Sequence, residues 1–446
     1  MSEDRTSSYW ARWLLILCLL LPLIAVLLLP GGTTLTGGLW FWLILLMCLW
    51  MLWMMPHEPG QEPLADNVQA GPHMLADEHL PELIRQLMDV RVATEDQGVL
   101  LFRGRMKMPA ASALERLQSE LPADTVPMLQ PDEQCGSAIL LLPRDIEQQA
   151  LERPTRPWIH WLLFGLTFLT TTWAGALHQG INLLHEPESL AVGLPYSLGL
   201  LLILGVHELG HFFTAKHHGI RVTPPFFIPV PFALGTFGAF IQMKSPTEHR
   251  RALFDVAVAG PLAGLVVAVP ALWLGLENSA VLPPDPEATQ SLVGGTSVGS
   301  SLLFALLAKL ALGDVLEFGY QLKLSPLAFA GWLGLLVTAL NLLPIGQLDG
   351  GHIARAMFGR RVGEITSSVA MWSLFMLAIF VCPGLLSWGG AVFFIAGRGT
   401  PPLDDITPLS RARRGLGYAT FLILALILIP LPHAFWHAAG IYCPYL

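Results

Sequence analysis

Long uninterrupted apolar runs dominate the pattern of this chain. The first two are "WLLILCLLLPLIAVLLLP" (13–30) and "GGLWFWLILLMCLWMLWMM" (37–55). Each is close to the roughly 20 residues that an α-helix needs to cross the hydrocarbon core of a bilayer. A signal peptide is the alternative for the first run, but no small-residue cleavage site follows it and a second apolar run comes at once. The pattern predicts a transmembrane hairpin over residues 1–56.

Further apolar runs resume after residue 156 and predict additional spans. Two shorter runs, 301–312 and 385–397, are below spanning length, and we interpret them as re-entrant, interfacial or broken helices. The chain is therefore predicted to be a polytopic α-helical membrane protein, with a transmembrane core at 157–360 and C-terminal transmembrane segments at 361–446. The predicted spans in these two regions are 158–177, 191–217, 252–276, 327–345, 366–382 and 414–432.

Residues 57–156 have a different pattern, in which apolar and polar positions alternate at helix and strand periods. "EHLPELIRQLM" and "PAASALERLQSEL" carry apolar residues at helical spacing. "VRVATEDQGVLLFRGRM" predicts two strands around a turn at Asp96-Gln97-Gly98, and "GSAILLLPRD" predicts a last strand. We therefore expect a small α/β soluble domain inserted after the second span.

The composition supports this division of the chain. Hydrophobic residues make up 53% of it and charged residues only 13%, which is too apolar for an ordinary soluble protein. Residues 56–156 hold nine Lys/Arg against seventeen Asp/Glu, which accounts for the whole net charge of −8. No segment is basic enough to indicate nucleic-acid binding. The five cysteines form no C-x-x-C pair, so neither a disulfide framework nor a zinc-thiolate site is indicated.

Loop charges predict the orientation. With the N-terminus inside, the loops at 217–251, 346–364 and 398–414 are cytoplasmic and carry four, three and four Lys/Arg, whereas the opposite loop 178–190 carries none. This is the positive-inside pattern. It predicts a multi-pass protein of a bacterial inner membrane with its N-terminus and soluble domain in the cytoplasm. No residue pattern specifies an oligomeric state.

The chemically distinctive segment is "VHELGHFF" (206–213), which lies within one of the apolar runs. His207 and His211 are four residues apart, so on a helix their imidazoles project from one face and can bind one Zn²⁺. Glu208 is placed beside such a metal, where it can accept a proton from the attacking water. Surface or core histidines are the alternative, but three ionisable groups inside an apolar span are costly unless they have a function.

A catalytic zinc usually has three protein ligands, and the segment "NLLPIGQLDGGHIARAMFG" (341–359) offers the third. Pro344 and Gly346 are expected to break the preceding helix, and such irregular backbone is tolerated at membrane depth where it lines a cavity. Asp349 can then supply a carboxylate oxygen, with His352 as a rival ligand. Asn341 can hydrogen-bond a substrate carbonyl or its oxyanion, or it can join two helices.

These two motifs together resemble the site-2 protease family of intramembrane zinc metalloproteases, peptidase family M50. Its signatures, H-E-x-x-H and N-x-x-P-x-x-x-x-D-G, match here at "HELGH" and "NLLPIGQLDG". The segments "GTFGAFIQMKS", "FDVAVAGPLAG" and "NLLPIGQLDGGH" are most similar to those of the cyanobacterial and plant-plastid branch. This branch includes the ethylene-dependent gravitropism-deficient proteins. The resemblance implies a site-2 protease-like transmembrane core.

The resemblance also implies a function, which is cleavage of transmembrane segments of membrane-protein substrates within the bilayer. It implies one Zn²⁺ per chain held by His207, His211 and Asp349, with Glu208 and Asn341 as catalytic residues. Two alternatives from other classes are a metal transporter and a proteolytically inactive scaffold. A transporter would distribute polar ligands along a path across the membrane, and an inactive relative would have lost one of these residues.

Two segments between the motifs complete the predictions. The prolines of "RVTPPFFIPVPFALGTFGAFIQMKS" (221–245) forbid a continuous helix, and "GAFIQM" has the pattern of a strand. We expect a β-hairpin or re-entrant loop whose edge could pair with an unwound substrate, or else a plain connecting loop. The small residues of "AGPLAG" (259–264) indicate close packing between helices.

Overall fold

The computed structural model describes residues 79–96, 99–122, 125–132, 134–143, 157–183, 185–230, 234–282, 301–313, 321–380 and 401–429. The predicted hairpin of spans at 1–56 lies outside these residues. In chain order the helices are α1 (His79–Leu87), α2 (Ala110–Glu120), α3 (Pro157–His178), α4 (Leu190–His217), α5 (Arg250–Glu277), α6 (Leu302–Leu312), α7 (Pro326–Leu342), α8 (Asp349–Phe358), α9 (Arg360–Phe380) and α10 (Arg411–Leu428). The strands are β1 (Met88–Asp96), β2 (Val99–Met106), β3 (Thr125–Asp132), β4 (Gly136–Pro143), β5 (Phe226–Pro229), β6 (Thr236–Phe240), β7 (Ala280–Leu282) and β8 (Gln321–Lys323).

The first four strands form one antiparallel sheet in the order β1-β2-β4-β3, and α1 and α2 pack on it. The helices and strands that the sequence predicts between 78 and 143 are present at the predicted places. Strand β3 was not predicted, because its sequence "TVPMLQPD" contains two prolines, which lack the N–H that a ladder needs. Leu114, Leu117, Leu129 and Ile139 are buried in the core of this α/β domain. Its outer boundaries at 57 and 156 lie outside the described residues and stay predictions.

The remaining helices form a bundle in which large apolar side chains are among the exposed ones. On α4, Leu198 and Leu202 are each 57% exposed, whereas His207, Glu208 and His211 are buried. A helix whose outer face meets lipid is expected to direct its apolar side chains outward and its ionisable side chains inward. This pattern fits an integral membrane protein.

Each of the six predicted spans after residue 156 is mostly or entirely helical. These helices differ in length and hydropathy. Among the described residues, two helical segments are long and apolar enough to cross a membrane, Pro187–His217 and Arg250–Glu277, while Leu302–Leu312 and Pro326–Leu342 are shorter apolar helices. Helix α3 contains four threonines, which lower its hydropathy. Thr167 and Thr171 are buried there and donate hydrogen bonds to the carbonyls four residues earlier, so they need no water.

Helices α4, α5 and α7 pack side by side and form the centre of the bundle. Glycines permit this close packing, because a Cβ at Gly275 or Gly331 would overlap the backbone of the neighbouring helix. The segment after α4 forms the predicted hairpin, with β5 and β6 antiparallel and Phe226 paired with Phe240. Short strands β7 and β8 form a second two-stranded ladder.

Candidate metal centre

The three predicted metal ligands lie on two helices, α4 and α8, that meet inside the bundle. His207 and His211 lie on the inner face of α4, one turn apart, and Asp349 is the first residue of α8. The predicted break between α7 and α8 is present. Gly346 adopts a φ of +48°, a left-handed value that glycine reaches without strain, and its N–H donates to the Ser367 hydroxyl at 2.8 Å.

The turn between α7 and α8 is tight because of a second glycine. A Cβ at Gly350 would overlap the carbonyl oxygen of Leu342, the last residue of α7. Glycine at this position therefore lets the start of α8 fold back against the end of α7. As a result, Asn341 near the end of one helix and Asp349 at the start of the next face the same point.

Three donor atoms converge at this point. The Nε2 atoms of His207 and His211 are 3.2 Å apart, and Asp349 Oδ2 lies 3.5 Å from the first and 3.3 Å from the second. Ligands bound tetrahedrally to zinc at about 2.0–2.1 Å are themselves separated by about 3.3 Å. The triangle formed by the three atoms therefore has the dimensions of one face of a zinc coordination tetrahedron.

Glu208 and Asn341 border this triangle. A carboxylate oxygen of Glu208 and one ring nitrogen of each histidine lie within 4.8 Å of one another, and Glu208 is only 6% exposed. Asn341 Nδ2 is 3.3 Å from His207 Nε2. All five predicted site residues are thus brought together. Glu208, Asp349 and the two histidines could all contribute donor atoms, but the oxygen of Asp349 matches the spacing of a third ligand more closely than the looser cluster containing Glu208. His352, the rival third ligand, lies one turn further along α8.

Helix α5 orients both imidazoles from behind. His211 Nδ1 is 2.8 Å from the backbone carbonyl of Val256, so this nitrogen carries the proton and Nε2 is free to bind a metal. A Cβ at Gly260 would overlap the His211 ring, and a Cβ at Gly264 would come within 3.1 Å of His207 Nδ1. The sequence indicated close packing at "AGPLAG" but did not show that the packing partners are the two histidines.

The β5–β6 hairpin borders the same site. The carboxylate of Glu208 lies close to the backbone of Ile241, directly after β6. Phe237 and Phe240 of β6 are 67% and 47% exposed, and among the described strands β6 pairs only with β5. Among the described residues, the edge of β6 that faces away from β5 therefore has no strand partner, and we call it the open edge of β6.

Comparison with known proteins places the motifs in a family context. A family model described as Peptidase family M50 matches residues 195–382. The probable zinc metalloprotease EGY2, chloroplastic, of Arabidopsis thaliana is 30% identical over 350 residues, which are 76% of this chain and 61% of that protein. The probable zinc metalloprotease EGY1, chloroplastic, of the same plant is 34% identical over 240 residues, 53% of this chain and 43% of that protein. The chain therefore spans about three fifths or less of the length of these relatives.

Proposed function

We propose that this chain is an intramembrane zinc metalloprotease of peptidase family M50, which hydrolyses peptide bonds within transmembrane segments of membrane-protein substrates. The family model matches residues 195–382. The observation that carries the proposal is the triangle of His207 Nε2, His211 Nε2 and Asp349 Oδ2, with sides of 3.2 to 3.5 Å. A buried carboxylate, Glu208, lies beside it. Three protein ligands would leave one coordination position open, as in a catalytic zinc site.

In this proposal His207, His211 and Asp349 hold one Zn²⁺ per chain. When bound, the zinc supplies a Lewis acid that polarises the scissile carbonyl and acidifies the attacking water. Glu208 accepts the proton of that water and later donates it to the nitrogen of the leaving amine. Its burial keeps this carboxylate away from bulk solvent, so the proton stays within the site.

We assign Asn341 the role of oxyanion stabiliser. Its amide nitrogen lies 3.3 Å from the Nε2 atom of His207, so a carbonyl held over the triangle would be within reach of the same N–H group. A donor preorganised toward the developing charge stabilises the transition state more than the ground state. Asn341 therefore contributes to the catalytic rate in this account rather than to metal binding.

A substrate helix must unwind before its peptide bond can be attacked, because its own hydrogen bonds shield the carbonyl. The open edge of β6 supports such unwinding, since an extended segment can pair with it through backbone hydrogen bonds. The exposed rings of Phe237 and Phe240 give this edge an apolar surface suited to a segment that comes from lipid.

The two competing functions fit the site less well. A metal transporter needs ligands spaced along a path, whereas in the described part of the chain the donor atoms converge on one point. An inactive scaffold needs neither a base beside the ligands nor an amide next to them, and Glu208 and Asn341 are both present.

The positive loop charges support an orientation with the N-terminus and the α/β domain in the cytoplasm of a bacterial inner membrane. The chloroplast location named for the relatives makes a plastid membrane the competing assignment. Protease accessibility of residues 79–143 in sealed inner-membrane vesicles tests the orientation, since cytoplasmic exposure predicts cleavage only in inverted vesicles.

Metal analysis of the purified full-length chain tests the proposed site. We expect one zinc per chain in the parent, loss of that zinc in Asp349→Ala, and its retention in His352→Ala. Retention in Asp349→Ala with loss in His352→Ala would assign the third ligand to His352 instead. A parent chain that binds no zinc would contradict the proposed function.

A further inference from the structure

A short segment late in the chain connects the α/β domain with the helices of the metal centre. Leu403, Asp404 and Asp405, here called the strap, lie beside β3 in a parallel arrangement. The N–H of Leu129 donates to the Leu403 carbonyl at 2.6 Å, and the N–H of Asp405 donates to the Leu129 carbonyl at 3.0 Å. The strap therefore extends the domain's sheet beyond β3.

The other edge of the strap is bonded to the residues that lead into α5. The N–H of Leu403 donates to the Thr247 carbonyl at 2.9 Å, and the N–H of Arg250 donates to the Asp404 carbonyl at 3.2 Å. One extended segment is thus hydrogen-bonded on one side to the α/β domain and on the other side to the start of a core helix.

The side chains of the strap divide between the same two neighbours. Leu403 is 5% exposed and belongs to the apolar core of the α/β domain, together with Leu129. Asp404 is fully buried and closes a turn by accepting hydrogen bonds from the N–H groups of Ile406 and Thr407, each at 3.0 Å. Asp405 is buried as well and is ion-paired to the helical core.

Asp405 joins two arginines from different helices. Its Oδ1 accepts a hydrogen bond from Arg250 Nε at 3.0 Å, and its Oδ2 lies 3.5 Å from Arg355 Nη2. Arg250 is the first residue of α5 and Arg355 lies in the last part of α8. Without this carboxylate, less negative charge would offset the repulsion between Arg250 and Arg355, which are both partly buried. This repulsion favours separation of α5 and α8.

Both of these helices build the metal centre. Val256 of α5 accepts the hydrogen bond that orients His211, and α8 begins with Asp349. Arg250 and Arg355 are each six residues from these positions, or about 9 Å along a helix axis. The spacing of α5 and α8 at the Asp405 ion pairs therefore affects the spacing between Asp349 and His211.

We propose that Asp405 is a positioning residue for the metal centre, which holds α5 and α8 at the separation that the three donor atoms require. Since Leu403 of the same strap is fixed in the α/β domain, docking of that domain is coupled to the geometry of the site. The inference rests on the proposed function, because it assumes that His207, His211 and Asp349 bind zinc.

Zinc affinity of the full-length chain in detergent, measured by competition with a chromophoric chelator, tests this inference. Arg355→Met is the first variant, because Asp405 keeps its bond to Arg250 while its link to α8 is lost. Asp405→Asn is the second variant and weakens both links. We expect about 10-fold weaker zinc binding in Asp405→Asn, the lower end of the range for residues that orient ligands, and a smaller loss in Arg355→Met.

The matched control is Asp132→Asn, which changes an aspartate of the α/β domain that closes a turn and pairs with Arg103 at 3.6 Å. We expect it to bind zinc as the parent does. Parental zinc affinity in Arg355→Met or in a folded Asp405→Asn would overturn the inference while leaving the proposed function intact. Absence of zinc from the parent chain would instead contradict the proposed function.

Discussion

Helix α2 of the α/β domain and helix α4 of the bundle have opposite arrangements of polar and apolar side chains. On α2, Leu114 and Leu117 are buried, while Arg116 and Glu120 form an exposed ion pair. On α4, Leu198 and Leu202 are exposed and the ionisable residues of the metal centre are buried. The difference shows that each helix is matched to its surroundings, water in the first case and lipid in the second. In lipid, the interior is the only place where polar chemistry can be located.

The largest expected difference concerns removal of apolar contacts. Leu117→Ala in α2 should lower the free energy of unfolding of the α/β domain by about 2–5 kcal/mol, because it leaves a cavity in a packed core. Leu198→Ala on the exposed face of α4 should change stability by less than about 0.5 kcal/mol, since lipid fills the space. Pulse proteolysis of both variants measures the two values. Equal losses would contradict the assignment of the outer face of α4 to lipid.

For an introduced charge we expect the opposite order, with α4 more sensitive than the α/β domain. Leu198→Asp places a carboxylate on the lipid-facing side of α4 and should cost about 2.5–3.5 kcal/mol of membrane insertion near the bilayer centre. Val92→Asp, on an exposed position of β1 in the α/β domain, should be nearly neutral. A translocon insertion assay for α4 and a thermal melt of the β1 variant provide the comparison. Full insertion of the Leu198→Asp helix would contradict the lipid-facing assignment.

A glycine at a helix contact and a glycine on an exposed helix surface should also respond differently to an added methyl group. Gly260→Ala places a methyl group where the His211 ring lies, so we expect about 100-fold slower cleavage, of the size that follows a ligand displacement of about 1 Å. Gly165→Ala on α3 is the matched control, because nothing lies within 4 Å of its added Cβ. Zinc content and cleavage should be parental in the control. Parental cleavage by Gly260→Ala would show that α5 does not position His211.

The sequence predicted the elements that depend on local patterns. The two motifs, the apolar helices and the hairpin at 226–240 follow from spacing within a few tens of residues or less. Strand β3 was missed because Pro127 and Pro131 suggest a loop. Its neighbours compensate, since β4 pairs with it on one side and the strap, some 270 residues later, bonds to Leu129 on the other.

The site shows the same limit. His207, Glu208 and His211 could be assigned to one helix face from their spacing alone. The choice between Asp349 and His352 could not be made from spacing, because it depends on how α8 folds back against α7 at Gly350. The part played by Gly260 and Gly264 depends on which helix lies behind the histidines, and that contact joins segments about 50 residues apart. Local spacing identified the chemistry, and packing between distant segments supplied its geometry.

The central claim is that the metal centre on the buried face of α4 hydrolyses peptide bonds within the membrane, with Glu208 as the proton acceptor. The most direct measurement compares membrane proteomes of cells that produce the parent chain or Glu208→Gln, and identifies peptide ends that lie within transmembrane segments. The amide variant keeps the size of the side chain and leaves the metal ligands unchanged. We therefore expect it to retain one zinc per chain while these peptide ends disappear, with the uncut substrates accumulating. An identical set of peptide ends in the two proteomes, with zinc bound in both proteins, would contradict the account.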